Sequence, residues 1–272
     1  MYLRLRQLCL VARDLDAVVE DLRAVLGVEV CHRDPAVERF GLSNALMRVG
    51  TSFVEVVAPL HDGTAAGRHL ERRGGDGGYM VILDAPKLVP WRRHAALCGV
   101  RIAAALKAGA YEGLQFHPHD TGGALLEINR TEGGEDLLGA YGPAGPHWQQ
   151  QAEARHARTI SGAVLQSPDP RRLARRWADI LRRHAVREGD GYEIQLDNAR
   201  LGFVEALDGR GEGLAAIRIE AVDPAHVLEA ARARRAIGGA GQIVVGGVRW
   251  EVTTHGSAQR AADAPPGGVS PA

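Results

Sequence analysis

One structural unit recurs four times along the 272 residues, and it restricts the fold of this chain more than any other feature. In its first copy an apolar strand at 8–12 precedes a helix over 15–26, whose apolar residues recur at helical spacing. Asp14 stands at the N-cap position, and Gly27 stands where a helix commonly ends. The unit is then completed by three short strands, predicted at 28–31, 45–49 and 53–57.

The same order of elements is predicted at three later places in the chain. The second copy begins at Gly78, the third at Ile160 and the fourth at Leu214. Asp169 and Asp223, each followed by proline, mark the helix starts of the last two copies. The sequence therefore predicts an α+β protein of four βαβββ modules.

Length and composition divide the chain into two globular parts. We predict one domain at 1–132, a Gly- and Pro-rich linker at 133–157 with a short helix near 149–156, and a second domain at 158–254. The segment 255–272 is rich in Ala, Gly, Pro and Ser and is predicted to be disordered.

Charge and cysteine content exclude several classes of partner. Thirty-three basic residues balance thirty-three acidic ones, so no net field attracts nucleic acid or an anionic membrane. The three cysteines are far apart in sequence, which argues against a disulfide framework or a zinc knuckle. With neither a signal sequence nor a membrane span in the sequence, we expect a cytoplasmic protein.

Three segments of the first half carry a family resemblance: LCLVARDLDAVVEDLRAVLGVEV, ALMRVGTSFVEVVAPL and FHPHDTGGALLEINR. They resemble the vicinal oxygen chelate superfamily of glyoxalases, bleomycin-resistance proteins and ring-cleavage dioxygenases. Within it, the stretch 54–73 and the run HPHDTGGALLE are most similar to methylmalonyl-CoA epimerase and glyoxalase-like members. The resemblance implies that the modules pair into two half-open mixed β-barrels and that a divalent metal (Zn, Ni, Co, Mn or Fe) binds in the cup of a barrel.

The resemblance also implies which residues would bind that metal. Gln7, Glu55 and Glu127 fall at three of the four ligand positions of the first domain. The fourth position holds Met80, which departs from the His, Gln or Glu of the family pattern. The departure matters because a thioether is a poor ligand for hard cations.

The corresponding positions of the second half lack two ligands outright. They read Gly162, Glu205, Ala216 and Glu251. We therefore expect any chemistry to be confined to the first domain, with the second serving as a lid, a pairing surface or a scaffold.

Strand alternation provides a check that does not depend on the resemblance. Residues two apart share a face, so Gln7, Glu55 and Glu127 can converge on one side of a sheet. Carboxylates on apolar strands need a metal, a cationic partner or a shared proton. The alternative is an ion pair of each glutamate with Arg48 or Arg130, or a position at a wet rim.

Two further side chains are candidates for the same cup. His117 is a candidate acid or base because histidine is the side chain best suited to proton transfer near neutral pH, and the alternative is a histidine at a strand end or in a loop. Cys9 could line the same cup, but a cysteine with no evident base nearby is more often a small apolar filler.

The leading functional hypothesis is a metal-assisted isomerase or lyase, of glyoxalase or epimerase kind, acting on a small carbonyl or thioester compound. Glu127 or Glu55 would exchange the proton. A metal-free small-molecule-binding protein is the alternative, and an extradiol-type dioxygenase is third. The expected partner is a small molecule, with no nucleic acid and no membrane, and the chain is expected to be a monomer or a homodimer.

Overall fold

The computed structural model describes residues 2–255, so most of the predicted tail lies outside the described residues. The first half contains eight strands: β1 (Arg4–Val11), β2 (Val30–His32), β3 (Leu42–Val49), β4 (Ser52–Pro59), β5 (Gly77–Asp84), β6 (Ile102–Ala108), β7 (Tyr111–Phe116) and β8 (Leu125–Thr131). They form one mixed sheet in the order β2-β3-β4-β1-β5-β8-β7-β6. Its helices are α1 (Leu15–Leu26), α2 (Ala65–Arg73), α3 (Val89–Leu97) and the single turn α4 (Pro118–Thr121).

The second half repeats this plan with seven strands: β9 (Ala157–Ser167), β10 (Ala185–Glu188), β11 (Gly191–Gln195), β12 (Arg200–Glu205), β13 (Gly213–Ala221), β14 (Ile243–Val245) and β15 (Val248–Thr254). Their order is β10-β11-β12-β9-β13-β15-β14. Two helices, α5 (Pro170–Leu181) and α6 (Pro224–Ala233), pack on this sheet. The α+β architecture of two mixed sheets built from βαβββ modules is therefore confirmed.

Local sequence signals explain where the first helix begins and ends. The Asp14 carboxylate accepts a hydrogen bond from the amide of Ala17 at 3.0 Å, which satisfies one of the free donors of the first turn. Gly27 has φ +67°, and its amide caps the helix by donating to the carbonyl of Arg23. Both predicted boundaries of α1 are confirmed.

The elements of the second module differ most from the prediction. The helix expected near 86–98 is α3, which begins only at Val89, with Pro90 in its first turn. The strand expected at 100–104 is β6, which runs four residues further, because a hairpin turn at 109–110 pairs Ala108 with Tyr111. Strand propensity did not fix these boundaries; the pairing partner did.

The first sheet separates two hydrophobic clusters. Leu8 and Leu10 of β1 join the large core, which includes α1 and much of the second half. Cys9 and Val11 point the other way, into a smaller cluster with Met80 and other residues of the concave face. The predicted alternation of β1 is confirmed, and Cys9 is fully buried in that smaller cluster.

The two halves are joined by a reciprocal contact of two arginines. The buried Arg73 of α2 donates to the carbonyls of Arg210, Gly211 and Glu212 at 2.7 to 3.1 Å. In return, Arg210 donates to main-chain carbonyls on the first half, among them those of Arg73 and Asp76. The end of α2 is thereby fixed to the second half.

The segment predicted as a linker packs against the first sheet. It contains 3-10 turns at Gly142–Ala144 and Trp148–Gln150 in place of the short helix expected near 149–156. Tyr141, Ala144 and Trp148 form a buried cluster with Phe53 and Leu46. Part of this segment therefore belongs to the structure of the first half.

Among residues 2–255, no helix has the length and apolar character that crossing a bilayer requires.

Candidate functional site

The register of four central strands brings the predicted polar residues together. Parallel pairing of β1 with β4 sets Cys9 opposite Glu55. Antiparallel pairing of β1 with β5 sets Gln7 opposite Ile82, and Ile82 lies opposite Glu127 of β8. Gln7, Glu55 and Glu127 all line one cavity on the concave face of the curled sheet, where sequence alternation predicted that they could converge.

Glu55 is held by two amide side chains. Its Oε2 accepts a hydrogen bond from Nε2 of Gln7 at 2.8 Å, and its Oε1 accepts one from Nδ2 of Asn44 at 2.7 Å. All three residues are buried, and Glu55 is 7% exposed. The carboxyl group is therefore oriented by neutral donors within a largely apolar wall.

Glu127 is held in a similar way by residues of β7. The hydroxyl of Tyr111 donates to Oε1 of Glu127, and Nε2 of Gln115 donates to Oε2 at 3.0 Å. Gly113 lies between these two donors on the same face, and a Cβ there would come within 3.0 Å of Glu127 Oε1. The glycine leaves the space that the carboxyl group occupies.

Burial changes the acidity of both carboxyl groups in the same direction. Desolvation raises the pKa of Glu55 above 4.5, and the charge of Glu127 adds to that rise. Desolvation likewise raises the pKa of Glu127, while its hydrogen bonds from Tyr111 and Gln115 oppose the rise. Both groups are therefore weaker acids than an exposed glutamate, as a general acid or base working near neutral pH should be.

The cavity in front of these groups is large enough for a small molecule. It measures about 420 Å³, within the range of ligand pockets in proteins. Its walls are mostly apolar, with Val57, Met80, Ile82 and Leu125 from the sheet. Its mouth lies against the 3-10 turn Pro35–Phe40, where the side chains of Arg39 and Phe40 are exposed.

A residue from the linker segment supports Gln7 in the wall of this cup. The hydroxyl of Tyr141 donates to Oε1 of Gln7 at 2.9 Å, across 134 positions of sequence. Its ring stacks on Phe53 with the centroids 5.0 Å apart, and the guanidinium of Arg6 lies 4.9 Å from its centroid. Tyr141 is therefore fixed by packing as well as by its hydrogen bond.

Sequence reasoning missed four members of the site: Asn44, Tyr111, Gln115 and Tyr141. Tyr111 and Gln115 lie on one face of β7, since they are four residues apart in a strand, so alternation gave a usable signal for them. Asn44 lies two positions from Leu46, and Leu46 pairs with Glu55 across the β3–β4 pair. Asn44 therefore shares the face of Glu55, but this follows only once the strand pairing is known. Nothing local to the sequence of the linker indicates that Tyr141 reaches Gln7.

His117 lies elsewhere. It does not line this cavity, nor a second cavity that adjoins it near α2. It forms the N-cap of the short helix α4. Its Nδ1 accepts a hydrogen bond from the amide of His119 at 3.3 Å and lies 3.4 Å from a nitrogen of Arg101. The structure gives it a position in a loop outside the cup.

The ion pairs considered as an alternative for the two glutamates do not form. Arg48 pairs with Glu153 at 3.0 Å and donates to carbonyls of the linker segment. Arg130 lies 3.6 Å from Glu112. Neither arginine neutralises Glu55 or Glu127, so that alternative is wrong.

The donor set does not fit a divalent cation as it is arranged. Gln7 turns its amide nitrogen to Glu55, and its Oε1, the atom that would bind a metal, already accepts a hydrogen bond from Tyr141. The oxygens of Glu55 and Glu127 are occupied by amide and phenol donors, and the fourth position is the thioether of Met80. Among the described residues, no group of three or more His, Cys, Asp or Glu side chains is placed to hold a metal ion.

The corresponding cup of the second half is filled by an arginine. Arg218 of β13 forms ion pairs with Glu193 and with Glu251, the latter at 2.9 Å. A Cβ on Gly202 would come within 3.0 Å of the Arg218 guanidinium, so this glycine makes room for it, whereas a Cβ on Gly162 would meet the carbonyl oxygen of Arg200 first, at 2.4 Å. Glu251 is thus held in a structural ion pair.

Glu205 was predicted to be the second-half equivalent of Glu55, but the strand register places it three residues too far along β12. Glu205 pairs in register with Ser167, whereas Gly202 pairs with Val164, two residues beyond Gly162. Since Glu55 occupies that same relation to Gln7 in the first half, Gly202 is the residue equivalent to Glu55. Three of the four equivalent positions in the second half therefore lack a polar side chain.

No family model and no curated protein matches this sequence. Solved structures do. A hypothetical protein from Staphylococcus aureus covers 93% of this chain and all of its own length, with a TM-score of 0.66 at 10% identity. A mutant of 4-hydroxymandelate synthase from Streptomyces coelicolor covers 87% of this chain and 76% of its own, with a TM-score of 0.64 at 14% identity.

A shorter match covers part of the chain. Methylmalonyl-CoA epimerase from Mycobacterium tuberculosis covers 46% of this chain and 86% of its own, with 25% identity and a TM-score of 0.42. The two longer matches cover most of the chain, including both of its sheets. The chain therefore shares its fold with 4-hydroxymandelate synthase, a member of the vicinal oxygen chelate superfamily.

Proposed function

We propose that this protein is an isomerase or epimerase that moves a proton at a carbon next to a carbonyl group of a small molecule. Glu55 and Glu127 are its acid–base pair. The observation that carries the proposal is the pair of buried carboxyl groups, both with raised pKa, lining a cavity of about 420 Å³. A carboxyl group of this kind is a better base when ionised and a usable acid when protonated.

The proposed step balances with groups of this chain alone. One ionised glutamate takes the proton from the carbon, and the electron pair of the broken C–H bond moves into the carbonyl group to give an enolate. The other glutamate, protonated, returns a proton to carbon. Amide donors such as Asn44 and Gln115 hold the two carboxyl groups in place during the exchange.

A divalent metal, expected from the family resemblance, takes no part in this step, because Oε1 of Gln7 accepts a hydrogen bond from Tyr141 and the Glu55 carboxylate accepts one from the amide nitrogen of Gln7. If a cation displaced those hydrogen bonds, Gln7, Glu55 and Glu127 are the residues that would hold it.

A metal-free binding protein is the second candidate, and one observation favours it. Every carboxylate oxygen of the pair already has a donor, so the cup is satisfied without a reacting molecule. In that case the same apolar walls hold a ligand that is released unchanged.

Hydrogen exchange separates the two candidates. The purified protein is incubated in D₂O with short acyl thioesters and small hydroxy ketones, and loss of the proton next to the carbonyl is followed by NMR, with and without a chelator. The proposal expects exchange that survives chelation and falls at least about 100-fold in Glu127→Gln, the range of general acid–base catalysis. Glu132→Gln is the matched control, since Glu132 is exposed just beyond β8.

Other outcomes assign the protein differently. Ligand protection against unfolding with no exchange in the wild type supports the binding protein. Exchange that is abolished by the chelator and restored by a divalent ion overturns the metal-free step and returns Gln7, Glu55 and Glu127 to the role of metal ligands.

A further inference from the structure

A second cavity adjoins the cup. It measures about 390 Å³ and shares three wall residues with the first cavity: Ala65, Tyr79 and Leu125. Its remaining walls come from α2, from the residues around 122–124 and from Glu212 of the second half. Because the two spaces share walls, one molecule can extend from the cup into the second cavity.

One face of α2 lines this second cavity. Arg68, His69 and Arg72 follow Ala65 by three, four and seven positions, the spacing of residues on one side of a helix. The residues on the opposite side are buried: Ala66, Leu70 and Arg73. The packing of α2 on the first sheet therefore directs its basic side chains into the cavity.

The two guanidinium groups on this face have no carboxylate partner among the described residues. Arg68 donates to the carbonyl of Gly63 at 2.6 Å, and within residues 2–255 neither Arg68 nor Arg72 forms an ion pair. The carboxylate on the wall, Glu212, is already engaged by Arg172 at 2.6 Å and by the hydroxyl of Ser167 at 2.7 Å. Two guanidinium groups therefore remain uncompensated at the cavity.

His69, on the wall of the second cavity, lies in the field of these positive charges. His69, whose Nε2 contacts the carbonyl of Gly78 at 3.0 Å, has its pKa lowered to about 4, first by burial and also by the charges of Arg72 and Arg73. The imidazole is neutral at pH 7 and adds no charge of its own. The net field at this place comes from the arginines.

We propose that the second cavity, which we call the arginine cavity, binds a phosphate or diphosphate group through Arg68 and Arg72, and that this group is the tail of the molecule whose reactive end lies in the cup. Guanidinium groups bind phosphate oxygens in pairs, which gives direction as well as charge. The first clause stands on the arginine cavity alone, and the second rests on the proposed function of the cup.

Binding of two simple probes tests the first clause. Calorimetric titration with inorganic pyrophosphate and with ADP is compared in the wild type, in the double variant Arg68→Gln/Arg72→Gln and in Arg232→Gln, a control on the exposed side of α6. We expect affinity to fall at least tenfold in the double variant, to stay unchanged in the control and to weaken with added salt. Absence of binding of both probes, or equal affinity in the double variant, overturns the clause.

Hydrogen exchange tests the second clause and keeps its failure apart from that of the cup. An acyl thioester of coenzyme A, which carries a diphosphate, is compared with the same acyl group on a short neutral thiol. We expect the double variant to raise KM at least tenfold for the former alone, with kcat unchanged. If the double variant affects both thioesters equally, the shared-ligand clause is wrong.

The two proposals fail separately. Pyrophosphate binding is expected to persist in Glu127→Gln, because the cup carboxyl does not touch the arginine cavity. Pyrophosphate binding without any exchange on either thioester overturns the proposed function of the cup but supports the anion site. Exchange without pyrophosphate binding supports the function of the cup and overturns the anion site.

Discussion

At the scale of single residues, the site is a set of carboxyl groups held by neutral donors. Gln7 both donates to Glu55 and accepts from Tyr141, so it links the sheet to the segment that follows β8. Tyr111 plays the corresponding part beside Glu127. A buried carboxyl group without such donors would pay the full cost of lost hydration, so these side chains determine whether the two glutamates are tolerated in the cup.

The raised pKa of Glu127 predicts a specific pH dependence of stability. Because the folded-state pKa lies above the unfolded value near 4.5, the protonated form stabilises the fold, and that contribution is lost as pH rises through the folded pKa. The isosteric Glu127→Gln removes this loss. We therefore expect the free energy of unfolding of the wild type to fall relative to the variant as pH increases from about 4.5, the ordinary pKa of a glutamate.

Urea denaturation at several pH values measures this difference. For the control Glu132→Gln, at an exposed neighbouring position, the difference from the wild type should not change with pH. A difference in free energy of unfolding between wild type and Glu127→Gln that does not change with pH, or a wild type that gains stability relative to the variant as pH rises, would contradict the raised pKa of Glu127.

At the scale of elements, α2 is held from two sides. Its apolar face packs against the concave side of the first sheet through Ala66 and Leu70, and its last residue, Arg73, is inserted into the second half. The same helix supplies walls to both cavities. Loss of its C-terminal anchor should therefore affect stability and ligand binding together.

Arg73→Met tests this anchor while keeping most of the side-chain volume. The change leaves the carbonyls of Arg210, Gly211 and Glu212 without their donor, so we expect the free energy of unfolding to fall by about 2 to 3 kcal/mol. Arg72→Met, one residue away and exposed, is the control and should change it by less than about 0.5 kcal/mol. Equal effects of the two variants in urea denaturation would show that the anchor is dispensable.

At the scale of the whole molecule, the two halves share a core and divide the roles. Residues of both sheets belong to one large hydrophobic cluster, and β5 packs against β13. The first cup is open to a ligand, whereas Arg218 fills the second. The second half holds the end of α2 and contributes Glu212 to the wall of the second cavity.

Gly78 offers a test of this shared core. A Cβ at Gly78 would lie 2.4 Å from both Cβ and the carbonyl oxygen of Leu214 in the opposite half. We expect Gly78→Ala to destabilise the protein by about 1 to 3 kcal/mol and to shift one cooperative transition in calorimetry. Gly239→Ala, where a Cβ meets nothing within 4 Å, is the control. Splitting of the transition into two would show that the halves unfold separately.

The sequence by itself determined the modules and the face on which the candidate residues lie. Helix periodicity and caps such as Asp14 are local, and strand alternation has a period of two, so Gln7, Glu55 and Glu127 could be assigned to one face without a partner in view.

The tertiary structure alone decided what these residues contact. Tyr141 reaches Gln7 across 134 positions, and Gly202 leaves space for the Arg218 guanidinium in the second cup. Such contacts depend on how the sheet curls and where the chain returns, and neither is encoded in a local pattern. The family resemblance implied a set of metal ligands, whereas the fold turns Gln7 toward Glu55 and turns Glu127 toward Tyr111 and Gln115.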